Sequence, residues 1–139
     1  MLKKFMLFLF FLALTVMTAQ AEVLIIANKS TAQAALDRQE IKDIFLCNKL
    51  YWNETSKITV ATLIEGDTAK SFYSTYLGMN AIQFNGLWNE KLYTGGKPHP
   101  KRFKTQKQLV EFVSQTPGSI GFIDSATSHD SVAVIEVKP

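Results

Sequence analysis

Val23 to Ala27 is an unbroken apolar run, Val-Leu-Ile-Ile-Ala, with no polar residue to turn toward water. Such a run has strand length, and a strand apolar on every side belongs in a sheet covered on both faces. Ile58 to Ile64, Ile120 to Ile123 and Val132 to Val137 read as further strands, rich in β-branched residues that suit a pleated, packed surface. Between them the period changes. Ala69, Phe72, Tyr73, Tyr76 and Leu77 fall at i, i+3, i+4, i+7 and i+8, a helical stripe. Asp67 suits its N-cap and Gly78 its terminator.

Capping chemistry places the other helices. Asp37 with Glu40 three residues on forms a capping box ahead of Ile41, Ile44 and Phe45. Thr105 with Gln108 does the same ahead of Leu109, Val110, Phe112 and Val113, and Pro117-Gly118 ends that helix. Asn80 opens a further helix that turns Phe84, Leu87 and Trp88 inward and ends before Gly95-Gly96. The expected order is strand, helix, strand, three helices, strand, strand. Buried strands interleaved with helices predict an α/β domain whose mainly parallel sheet is covered on both faces.

Lys3 and Lys4 give a charged start, Phe5 to Thr18 is almost wholly apolar, and Ala19-Gln20-Ala21 is a small-x-small cleavage site. This predicts a secretory signal peptide over residues 1–21, a single domain over 22–139, and a periplasmic or secreted location. The apolar run is shorter than the roughly 20 residues of a spanning helix. No transmembrane helix is therefore expected after cleavage. The formal charge of +3 includes Lys3 and Lys4, so residues 22–139 carry thirteen basic against twelve acidic side chains. That balance requires no nucleic-acid partner. Cys47 is the single cysteine, which excludes an intramolecular disulfide, and its apolar neighbours Ile44-Phe45-Leu46 suit a buried structural thiol.

Three landmarks follow in fixed order: Ile41-Lys42-Asp43-Ile44-Phe45-Leu46-Cys47-Asn48-Lys49 with Trp52 close behind, Trp88 ahead of Tyr93-Thr94-Gly95-Gly96, and Pro117-Gly118-Ser119-Ile120-Gly121-Phe122. Together they resemble the patterns "IFLGK…W", "W…F-T/S-G" and "PGAIGY" of the phosphate-type periplasmic substrate-binding proteins of ABC transporters. Cys47 stands where that family has Gly. The resemblance implies a periplasmic-binding-protein type 2-like α/β fold. Full-length members have two lobes that close around a tetrahedral anion, and the landmarks here match one of them. The opposite wall of the cleft is then missing or supplied by another chain.

Two segments suit a small oxyanion such as phosphate, because backbone N–H groups at helix starts favour negative charge. The first is Asn28-Lys29-Ser30-Thr31, after the first strand, which offers Lys29, Ser30 and Thr31. The second is Glu65-Gly66-Asp67-Thr68-Ala69-Lys70-Ser71, offering Thr68, Lys70 and Ser71. By the resemblance it occupies the family's phosphate-gripping "R-x-D-G-S-G-T" segment. The arginine of that segment is absent here, and Asp67 sets a like charge beside the ligand. Either segment also reads as a plain polar turn or a helix cap.

Lys97 to Lys107 concentrates basic side chains and suits an anionic envelope polymer, a headgroup surface or an acidic protein partner, or simply a solvated loop. Enzyme chemistry finds little footing. Ser128-His129-Asp130 are consecutive and cannot readily form a nucleophile–base–orienter geometry. No metal-ligand spacing, nucleotide loop or cofactor motif occurs. The expected function is solute binding, with an interaction module that has lost its ligand as the alternative.

Overall fold

The computed structural model describes residues 22–94 and 99–139, with the side chains of 91–94 left aside. The expected signal peptide and Gly95-Gly96 lie outside the described residues. Six strands form one sheet in the order β2-β6-β1-β5-β3-β4. They are β1 (Val23–Ala27), β2 (Ala35–Asp37), β3 (Thr59–Leu63), β4 (Lys101–Phe103), β5 (Ser119–Asp124) and β6 (Ala133–Lys138). Four α-helices accompany them among the described residues: α1 (Arg38–Phe45), α2 (Asp67–Phe72), α3 (Ala81–Thr94) and α4 (Gln106–Gln115).

The sheet is mainly parallel, as expected, with one exception at its centre. β3 pairs parallel with β4 and β5, and β2 parallel with β6. β1 is antiparallel to both of its neighbours, β5 and β6. One reversed strand thus runs through the middle, and its apolar sequence is explained by neighbours on both edges and packing on both faces. The short edge strands β2 and β4 carry no apolar run and were not legible as strands. Lys101 and Arg102 on β4 stay exposed, a common way to keep an edge from pairing with another chain.

The caps form as their residue types dictate. The Asp37 carboxylate accepts from Glu40 N at 2.8 Å, and the Thr105 hydroxyl from Gln108 N at 3.2 Å. At α3 the bonding is reciprocal: Asn80 Oδ1 accepts from Gln83 N, and Gln83 Oε1 from Asn80 N. The second helix departs from expectation in two ways. Gly66, at φ 101°, is its N-cap, and Asp67 is its first helical residue. After Phe72 it widens into a π-helical turn, Tyr73–Leu77, that ends at left-handed Gly78.

Adjacent residues of β5 serve opposite faces of the sheet. Phe122 stacks on Phe72 with ring centres 3.9 Å apart, and Phe45 and Tyr73 close in at 6.1 and 5.9 Å. Phe84 extends this aromatic layer to α3, 4.7 Å from Tyr73. On the other face, a Cβ at Gly121 would stand 2.8 Å from Leu109 Cδ2 and 3.2 Å from Ala61 O, so only glycine lets α4 lie so close. Gly118 is constrained further. Its φ is +78°, and an added Cβ would collide with the Lys57 carbonyl oxygen. We therefore expect Gly121→Ala to lower unfolding free energy by about 1–3 kcal/mol, since the Leu109 tip can shift. Gly118→Ala should cost more, because backbone cannot move aside. Denaturant titration of both variants checks the order.

Candidate functional site

Strand direction decides where the candidate residues lie. Because β1 is reversed, the loop after it sits at the amino-terminal ends of β3 and β5: Asn28 N donates to Ser119 O at 3.0 Å. The loop after β3 sits at the opposite end, beside the last residue of β5: the Thr68 hydroxyl is 3.4 Å from Asp124 Oδ2. A strand of this length separates the two ends by roughly 15 Å. Ser30 and Thr31 therefore do not share a concavity with Thr68.

At the Asn28 end, the expected helix start is not found. Asn28-Lys29-Ser30-Thr31 leads into β2, and α1 begins only at Arg38. The loop instead meets the carboxyl end of α4, where Asn28 Nδ2 donates to Val113 O at 2.8 Å and Ser114 O at 3.2 Å. Asn28 Oδ1 accepts from Ser30 N and Ser30 Oγ at 2.9 and 2.6 Å. A helix carboxyl end carries partial negative charge, so an anion gains nothing from it. Ser30 and Thr31 line a cleft of about 400 Å³ with Trp52, Ser56 and Lys57. Lys29 is exposed and outside that lining.

At the other end, the segment Glu65–Thr68 and the start of α4 enclose an open cleft of about 340 Å³, lined by Leu63, Glu65, Asp67, Thr68, Lys104 and Gln106 among others. This is the carboxyl end of β3 and β4, where open α/β sheets usually bind ligands. Thr68 reaches it. Lys70 does not, and borders a separate hollow with Ser74, Met79 and Gln83. Ser71 is exposed on α2 and lines neither cleft.

Behind the 340 Å³ cleft lies a polar network that sequence reading did not single out. Gln106 Nε2 donates to Asp124 Oδ2 at 2.7 Å and lies 3.3 Å from Thr68 Oγ1. Its Oε1 accepts from Asp124 N at 2.6 Å and from the Thr127 hydroxyl at 2.9 Å. Asp124 Oδ1 accepts from Ala126 N, Thr127 N and Thr127 Oγ1 at 2.9–3.0 Å. The Gln106 hydrogen bond, helped by those from Thr127 and Ala126 and opposed by partial burial, holds the Asp124 carboxyl below the usual carboxylate range. The available signal was Asp124 two residues beyond PGSIGF, at a strand's carboxyl end.

The electrostatics follow from this inventory. Among the described residues Glu65 and Asp67 line this cleft with one cation, Lys104, and Asp124 lies just behind, so this end is acidic on balance. Cys47 is buried beside a third hollow that His99, Lys57 and Lys101 also border. Its backbone has φ 54°, a left-handed conformation that glycine adopts more readily. No group of three His, Cys, Asp or Glu side chains is placed to hold a metal ion among the described residues. No helix among them is long and apolar enough to cross a membrane.

No protein-family model matches this chain, and no curated protein matches it. Solved structures do. An ABC-type phosphate transport receptor from Vibrio cholerae superposes with a TM-score of 0.65 at 15% identity, covering 84% of this chain and 46% of the receptor. A putative phosphate ABC transporter substrate-binding protein from Clostridium perfringens, solved with bound phosphate, gives 0.66 at 18% identity, covering 84% and 45%. PstS from Borrelia burgdorferi gives 0.65 at 15% identity, covering 85% and 47%. The chain thus spans less than half the length of these structures, and in fold it is a single-lobe relative of phosphate-type substrate-binding proteins.

Asp124 has a lowered folded-state pKa, so its contribution to stability is complete above the ordinary carboxylate value and is lost as pH falls through the folded value. Gln106→Ala removes its principal donor. The variant should melt lower near neutral pH and lose less of its remaining stability between about pH 5 and pH 3. Thermal unfolding across that range checks both.

Proposed function

We propose that this chain is an exported solute-binding module that takes a small oxyanion, phosphate first among them, with modest affinity in the cleft between Glu65 and Gln106. The observation that carries the reading is the meeting of Thr68, Lys104 and Gln106 around one concavity at the carboxyl ends of parallel strands. The single-lobe likeness to proteins described as phosphate receptors supports it. Export rests on Lys3, Lys4 and the apolar run to Ala21.

The roles follow from charge. Lys104 supplies the cation, and the Thr68 hydroxyl and Gln106 amide supply hydrogen bonds. Asp124, kept ionised, holds Gln106 and Thr68 in place from behind the cleft, whereas Glu65 and Asp67 oppose a second negative charge. Without a bidentate guanidinium the affinity is modest. Phosphate at about a hundred times its dissociation constant should add roughly 2.7 kcal/mol to stability. The shift should be larger in mildly acidic buffer, be reduced by Thr68→Val and grow with Asp67→Asn. Absence of any shift with phosphate, sulfate or arsenate would retire this reading.

A second reading is an interaction module for an acidic protein partner. It is favoured by exposed Lys101 and Arg102 on the edge strand β4, with exposed Lys104 and Lys107 just beyond. Lys97 and Pro98 of that basic stretch lie outside the described residues. Replacing Lys101, Arg102 and Lys104 together by Ala should abolish partner capture at low salt, and unchanged capture counts against it.

A further inference from the structure

The cleft at the amino-terminal ends of β3 and β5 has a different chemistry, and we propose that it is a second binding site, for a sugar-sized ring carrying one carboxylate. Its volume of about 400 Å³ falls within the range of small-ligand sites. Thr31 lines it, yet the Thr31 hydroxyl is shut off from solvent and has no hydrogen-bond partner among the described residues. A buried hydroxyl left unpaired is unfavourable and calls for a partner.

The walls around it are held in place before any ligand arrives. Asn28 ties the loop to the end of α4 and accepts two hydrogen bonds from Ser30. The Trp52 indole N–H donates to the Gly118 carbonyl at 3.0 Å, which pins the ring in the cleft wall. A pinned indole beside the hydroxyls and amide of Ser30, Ser56 and Gln33 is a combination suited to a sugar. Ring C–H groups pack on the aromatic surface, and sugar hydroxyls exchange hydrogen bonds with the polar side chains.

Charge narrows the class. Among the described residues Lys57 is the one charged residue in the lining, and no carboxylate joins it there. One ammonium serves one carboxylate. A compact dianion is poorly served, because the neighbouring helix end is the carboxyl end of α4. The same chemistry is offered by a free uronic acid and by the uronate end of a polysaccharide.

Titration of the full chain with glucuronate, glucose and acetate, followed by Trp fluorescence and by amide shifts of residues 28–33, tests the site. Glucuronate should bind about tenfold more tightly than glucose or acetate. Lys57→Met should erase its advantage over glucose, and Thr31→Val should weaken both sugars several-fold. Trp52→Phe, which keeps a ring, should bind where a folded Trp52→Ala does not. Thr68→Val should leave this binding intact, which separates it from the oxyanion cleft. A glucuronate-ended trisaccharide binding as well as the free acid assigns a chain end, and weaker binding assigns the free sugar. Equal binding of acetate and glucuronate, or glucuronate binding indifferent to both Thr31→Val and Lys57→Met, overturns the proposal.

Discussion

Two consecutive residues of β5 carry the architecture: Gly121, which has no side chain, and Phe122, which has a large one. The missing Cβ lets Leu109 and Ala61 close over one face, so α4 lies directly on the sheet. The Phe122 ring meets Phe72 face to face on the other, at 3.9 Å, with Phe45 and Tyr73 around it. A strand offering a hole on one side and a stacking surface on the other fixes both layers at once. Flanking residues serve the same end. Gly118 makes the turn into β5, its carbonyl accepting from Trp52 Nε1 and Thr59 N, and the buried Ser119 hydroxyl donates to carbonyls at the end of α4. Gly118, Ser119, Gly121 and Phe122 of PGSIGF therefore each have a structural reason to be what they are.

The chemistry is displaced to the two ends of this strand. α4 runs against β5, its start at Asp124 through Gln106 and its end at Ser119 and Asn28. One end of the sheet thus gains a helix start and a network of amide, hydroxyl and carboxylate. The other gains a helix end whose carbonyls are already bonded. Opposite ends of one helix face opposite ends of one strand, and the two clefts differ in electrostatics for that reason.

The acidic balance at the Thr68 end bears on how a single lobe could handle an anion. Two lobes surround a ligand and exclude water, which strengthens every charge within. One lobe leaves its cleft open, so Lys104 acts in high dielectric and Glu65 and Asp67 are partly screened. Affinity on such a surface depends more on hydrogen-bond geometry than on net charge. Gln106 is held in one geometry there, its amide donating to Asp124 and its oxygen anchored by Asp124 N and Thr127.

Local chemistry alone determined much of this protein. The apolar run of β1, the Asp37–Glu40 and Thr105–Gln108 caps, the inward stripes of α1 and α4 and the Gly78 stop all depend on residues a few positions apart, so their spacing was enough. The motif resemblance likewise anticipated the single-lobe fold. Short strands β2 and β4 escaped because three residues paired at an edge leave no periodic pattern. The direction of β1 was equally illegible, since an apolar strand suits parallel and antiparallel neighbours alike. Only the tertiary structure decided that Ser30 and Thr68 lie at opposite ends of the sheet. It also made Gln106 and Asp124 partners, because strand orientation and helix docking set contacts between residues that no sequence interval connects.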